Sequence, residues 1–106
     1  MGIDQATIDE ILQRILRISK ADRVILYGSA ATGKMTPDSD IDLLILEENP
    51  TNSTERRVKI GNVLRGLGYA FDIRVMATER FEETKDVIGG IAYPADKYGA
   101  VIYEAA

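Results

Sequence analysis

YGSAATGKMTPDSDIDLLIL, residues 27–46, carries two patterns tied to phosphate and cation chemistry, and the fold depends on how they combine. Gly28–Lys34 spells G-x-x-x-x-G-K, and Asp38–Asp42 spells D-S-D-I-D. The stretch leaves a short apolar, β-branched run, Arg23–Tyr27, which reads as a buried strand ended by Gly28. It runs into Ile41–Leu46, a second strand closed by Glu47-Glu48-Asn49-Pro50. Side chains alternate along a strand, so Ile41, Leu43 and Ile45 are expected in a core, with Asp40 and Asp42 together on the other face.

Working outward, Ile8, Ile11, Leu12, Ile15 and Leu16 recur at helical spacing and predict a first helix over about 5–19, with Thr7-x-x-Glu10 as its capping box. Ile60, Val63, Leu64 and Leu67 predict a second helix over about 53–67, ended by Gly66 and Gly68. Tyr69–Met76 reads as a third strand. Thr78 is expected to cap a third helix running to about Ile88, where Gly89-Gly90 breaks it. Gly99–Tyr103 reads as a short last strand. No linker, repeat or low-complexity segment interrupts this order, so residues 1–106 are expected to form a single α/β domain.

Composition narrows the chemistry. A chain of 106 residues with 45% hydrophobic and 28% charged residues suits one globular core. The net charge of −4 argues against non-specific nucleic-acid binding, which needs a basic surface. Cysteine and histidine are both absent, which removes thiolate chemistry, Ser-His-Asp triads and most zinc sites. A general base or metal ligand must then be a carboxylate. MGIDQATIDE is acidic without an apolar core, and no apolar run is long enough to span a bilayer, so a cytoplasmic protein without membrane contact is expected.

The two patterns fail as separate motifs. A P-loop needs a Ser or Thr after its lysine and a helix starting there, but Met35 follows Lys34 and Pro37 disfavours helix at Thr36. A calcium loop starting at Asp38 needs Gly and Glu at its sixth and twelfth positions, where this chain has Leu43 and Asn49. An aspartate-based phosphatase wants its aspartate pair at a strand's end, whereas Asp40 and Asp42 begin one.

Read together, the halves place a glycine–serine turn beside two carboxylates. Asp40 and Asp42, spaced i, i+2 at a strand's start, can bridge a hard cation such as magnesium. The plain structural alternative is a solvated turn, which suits Asp38 and Ser39 better. Asp72 sits amid apolar residues in the third strand, where aspartate is disfavoured. If that strand neighbours the second, Asp72 can join Asp40 and Asp42 in a two-metal site for phosphoryl chemistry. Its plain alternative is an edge position or an ion pair with Arg74.

Gly28-Ser29, ten residues, then Asp40-Ile41-Asp42 resembles the G-S-x10-D-x-D signature of polymerase-β-like nucleotidyltransferases, and most closely their minimal, MNT-type members. The wider match covers Gly28, Ser29, Ala31 and Gly33, then Pro37 to Ile45, with Asp72 as third carboxylate and Lys97–Glu104 similar to that family's last strand. The resemblance implies a small mixed sheet with helices packed on one face. It implies that Gly28, Ser29 and Gly33 bind the nucleotide. Asp40, Asp42 and Asp72 would hold two Mg²⁺ ions, Asp72 also helping to deprotonate the acceptor. Lys34 reads as a solvated loop lysine. Ala30 departs from the pattern, standing where many relatives carry a basic or bulky residue.

The implied reaction moves a nucleoside monophosphate, AMP from ATP, to a hydroxyl and releases pyrophosphate. MNT-type proteins act with a helical HEPN-domain toxin as the antitoxin of a toxin–antitoxin pair, and the implied acceptor is a tyrosine of that toxin. Two alternatives stay open: an antitoxin that neutralises its partner by binding alone, and a subunit that modifies a small molecule of the aminoglycoside type in a groove formed by a homo-oligomer. Tyr93, Tyr98 and Tyr103 are either a partner surface or packing against the sheet.

Overall fold

The computed structural model of the chain describes residues 3–106. Four strands form one mixed sheet in the order β3-β2-β1-β4: β1 (Arg23–Tyr27), β2 (Ile41–Glu47), β3 (Phe71–Ala77) and β4 (Ala100–Glu104). β1 runs antiparallel to both β2 and β4, whereas β2 and β3 are parallel. A parallel pair needs a crossover, and helix α3 (Ser53–Val63) supplies it.

The apolar pattern explains the packing. Ile41, Leu43 and Ile45 join Val24, Leu26 and Ile73 on one face of the sheet, beneath Ile11 and Ile15 of α1 (Gln5–Leu16) and Ile60 of α3. α1 and α3 therefore share one face, but the expectation that the helices pack on one face only is not met. The other face is not bare. Leu44 and Leu46, on the alternate positions of β2, pack with Ile25 against Phe81 of α4 (Thr78–Thr84) and Ala92 and Ala95 of α5 (Ala92–Tyr98). This is why β2 reads as a nearly unbroken apolar run: it is buried on both sides except at Asp42.

Helix ends depart from the sequence expectations for identifiable reasons. The carboxylate of Asp4, not Thr7, caps α1 by accepting from the Thr7 N–H at 2.9 Å. Asn52 caps α3 in the same way through the Glu55 N–H at 3.0 Å. Both helices stop earlier than expected. The guanidinium of Arg14 donates to the carbonyls of Val63 and Arg65, satisfying acceptors at the end of α3. The Thr78 hydroxyl does not cap α4 but donates to Asp22. That helix ends at Thr84, and α5 after the Gly89-Gly90 break was not expected at all. Its two buried alanines give too faint an apolar stripe to be recognised by spacing.

At the far end of β2, Glu47 is buried and bonds both Arg56, at 2.8 Å, and the hydroxyl of Ser19, at 2.6 Å. Arg56 also donates to the Ile18 carbonyl. Burial alone would push the Glu47 carboxyl up, but these hydrogen bonds and the arginine charge outweigh it and hold it below its usual value. The network ties α1, β2 and α3 together at the end of the sheet opposite the carboxylates. Among the described residues no helix is long and apolar enough to cross a membrane.

Candidate active site

The loop after β1 builds the first wall. Gly28 takes φ 68° and ψ −150°, a conformation essentially reserved for glycine. A Cβ at this position would collide with the Oδ2 of Asp42. Glycine here thus serves both the turn and the close approach of a carboxylate. One helical turn follows, α2 (Ser29–Thr32), closed by Gly33 in the left-handed conformation. The helix begins at Ser29, five residues before Lys34 rather than at it, which is the geometric reason the P-loop reading fails. Lys34 is exposed. Ala30 is 6% exposed and packs into the core under the sheet, so a side chain at this position points away from the open face.

The loop from Gly33 to Asp40 is tied by Thr36 and Ser39. The Ser39 hydroxyl accepts from the Thr36 N–H at 2.9 Å, and the Ser39 N–H donates to the Thr36 carbonyl at 3.0 Å. Ser39 is thus a turn former, and Asp38 is exposed beside it.

Strand register does the rest. Tyr27 of β1 pairs with Asp42 of β2, which pairs with Asp72 of β3. Cross-strand partners share a face, so a phenol and two carboxylates stand in a row across three strands. They occupy the open end of the face that α4 and α5 cover further along. The carboxyl of Asp42 is pushed above its usual value, first by burial and then by the negative charges of Asp72 and Asp40, with Arg74 acting the other way. The Tyr27 phenol is raised to about 12, again by burial first and then by Asp42 and Asp72. It therefore stays protonated, a hydrogen-bond donor rather than a base. Arg74, two residues beyond Asp72, sets its Nε 3.5 Å from the Asp72 Oδ1.

Of the three sequence candidates, Asp42 and Asp72 are brought side by side. Asp40 precedes β2 and is exposed; its charge reaches Asp42, but among the described residues no group of three acidic side chains is gathered tightly enough to hold a metal ion. The donors are all hard carboxylate oxygens whose repulsion a divalent cation would relieve, and they fit magnesium in kind. Gly28 borders Asp42 and leads into α2 at Ser29, whose first N–H groups lack intrahelical acceptors, as at any helix start. Tyr27 was missed by sequence reasoning. Only the antiparallel register reveals it, and its one local signal is its place immediately before Gly28.

The nucleotidyltransferase domain family matches residues 8–92. No curated protein sequence matches the chain. Several solved structures share its fold. One is a chain of a toxin–antitoxin complex crystallised with AMP-PNP, at 18% identity and TM-score 0.68, covering 92% of this chain and 73% of that one. Another comes from a tri-AMPylated Shewanella oneidensis HEPN toxin in complex with its MNT antitoxin, at 16% identity and TM-score 0.63, covering 97% and 74%. A third is a candidate nucleotidyltransferase from Sulfolobus solfataricus, at 18% identity and TM-score 0.60, covering 98% and 92%. At these identities the likeness is one of fold.

Proposed function

The chain belongs to the nucleotidyltransferase domain family, and from that premise we propose that it moves AMP from ATP to a hydroxyl, that of a tyrosine on a partner HEPN toxin, as the antitoxin of the pair. The observation that carries this reading is the register of Asp42 against Asp72 beside the Gly28 turn. It sets two carboxylates, which repel unless a cation joins them, next to a loop whose shape admits a phosphate. Fold neighbours crystallised with AMP-PNP and with an AMPylated HEPN toxin support this reading of nucleotide and partner.

Each residue has a part. Gly28 lets a phosphate approach the backbone, and Ser29 donates its hydroxyl and N–H to the nucleotide's terminal phosphates. Gly33 turns the loop back toward β2. Asp42 and Asp72, together with Asp40 from the preceding loop, would hold the cations. Asp72, on the edge strand β3, would help to deprotonate the acceptor hydroxyl. Magnesium, when bound, supplies positive charge to the phosphates and to the forming oxyanion. Tyr27 remains a neutral donor along one wall. Ala30, which departs from the family pattern, is buried against the core.

The test uses labelled ATP, magnesium and a HEPN partner. Label is expected on the partner only when cation is present, and calorimetry should show ATP binding abolished by excess chelator. Equal binding with and without chelator refutes the cation site. Neutralisation of the partner by wild type without any transfer establishes the binding-only alternative.

A further inference from the structure

Arg74 is placed unusually for a residue with no assigned part in the reaction. It follows Asp72 by two positions on β3, so both side chains rise from the same face of an edge strand. Its guanidinium sits 3.5 Å from the Asp72 carboxylate, and among the described residues this is the ion pair it makes. The pair is loose and wet, with side-chain exposures of 55% and 43%. Such a pair adds little to stability. Its local effect is electrical: the Arg74 charge opposes the mutual repulsion of Asp42, Asp72 and Asp40 and is the positive charge acting on Asp42. Arg74 also borders a cleft of about 190 Å³ lined by Ser53, Thr54, Arg57 and Val75. At 55% exposure the Arg74 side chain has room to turn.

We propose that Arg74 is an exchangeable counter-ion of the carboxylate pair: it holds Asp72 before substrate arrives, yields Asp72 to the divalent cation, and then binds the phosphate of the nucleotide lying over the same carboxylates. The inference rests on the cation-dependent nucleotide reading above and adds a residue to it. The physical case has two parts. A guanidinium and a divalent cation compete for the same oxygens, so each disfavours the other while no phosphate is present. Once a polyphosphate is bound, negative charge stands within a side-chain length of a guanidinium that has just lost its partner, and a bidentate contact becomes available. Only small movement is needed, because Arg74 already touches one edge of the site.

Cation binding alone and cation–nucleotide binding should therefore respond to Arg74 in opposite directions. A merely structural ion pair would not do this. The experiment measures, by calorimetry, the affinity for Mn²⁺ alone and for Mg²⁺ with a non-hydrolysable ATP analogue, in wild type, Arg74→Gln and Arg74→Lys, with thermal melts to confirm folding. Arg74→Gln is expected to bind Mn²⁺ alone about three- to ten-fold tighter, since a repelling charge is gone. It should bind the magnesium–analogue complex roughly ten-fold more weakly, the loss of a charge-assisted hydrogen bond. Arg74→Lys keeps the charge and should stay near wild type for Mn²⁺ alone, while recovering part of the nucleotide affinity. If wild type binds both ligands and Arg74→Gln changes neither, or changes both in the same direction, Arg74 is a surface pair and the inference fails while the proposed function stands. If wild type binds neither, the proposed function fails and takes this inference with it.

Discussion

Replacing Gly28 by alanine should damage fold and site at once, and the two injuries can be separated. Gly28 sits at φ 68° and ψ −150°, where an L-residue is strained by about 1–3 kcal/mol. The new Cβ would also meet the Asp42 carboxylate, with Cγ at 3.2 Å and Oδ2 closer still. Asp42 must then swing off its rotamer, at about 0.5–1.5 kcal/mol. Together these predict a loss of about 2–4 kcal/mol, out of the roughly 5–15 that hold a small domain folded. For a domain of this size that is a fall in Tm of about 10–20 °C. Urea unfolding measures the first quantity and calorimetry of magnesium–ATP binding the second, which should weaken because Asp42 has been displaced. The decisive step is a double-mutant cycle with Asp42→Ala. That background removes the colliding atoms and leaves only ordinary contact with the Asp42 Cβ, at 3.6 Å. The cost of Gly28→Ala should then fall by about 0.5–1.5 kcal/mol, a coupling of the size expected between touching residues. A cost below about 0.5 kcal/mol in wild type, or an equal cost in both backgrounds, refutes the close approach of Gly28 and Asp42.

Other substitutions probe the remaining parts. Asp42→Asn should abolish most cation-dependent ATP binding yet raise the Tm of the cation-free protein: its native carboxyl lies above the usual value, so its charge opposes folding at neutral pH. Asp72→Asn should spare much of the ATP binding and remove most label transfer to the partner; transfer at the wild-type rate would make Asp72 structural. Ser29→Ala should weaken triphosphate binding by about 1–3 kcal/mol without unfolding the chain, and unchanged binding by calorimetry would leave Ser29 a turn residue only. Arg56→Ala strands the buried Glu47 and should cost about 3 kcal/mol in urea unfolding at pH 7. Because the native Glu47 carboxyl is lowered from 4.5, its contribution is complete above that pH and disappears as the pH falls through the lowered native value. Glu47→Gln should flatten that part of the stability profile, and a profile identical to wild type would deny the shift.

Much of this molecule was legible because local rules and tertiary packing agree. β1 keeps its sequence-expected bounds, and β2 and β3 shift by no more than two residues, since β-branched apolar runs bounded by glycine, proline and acidic turns leave few other options. The helical spacing of Ile11, Ile15 and Ile60 likewise marked the side facing the sheet. Residues 27–46 by themselves determined the glycine turn, the start of β2 and the placement of Asp42 on the face opposite Ile41, Leu43 and Ile45, because side-chain alternation is a property of the strand alone. Where the expectations failed, long-range contacts had decided. α1 and α3 end early because their last turns meet partners from elsewhere in the chain, as Arg14 meets the carbonyls of Val63 and Arg65. α5 exists because Ala92 and Ala95 fill the space beside Phe81, a contact without local periodicity. The site shows the same division. Whether Asp72 meets Asp42, whether Tyr27 joins them and whether Arg74 faces them were decided only by tertiary structure. Each depends on which strands are neighbours and in which register, and a one-residue slip would turn Asp72 and Arg74 to the opposite face.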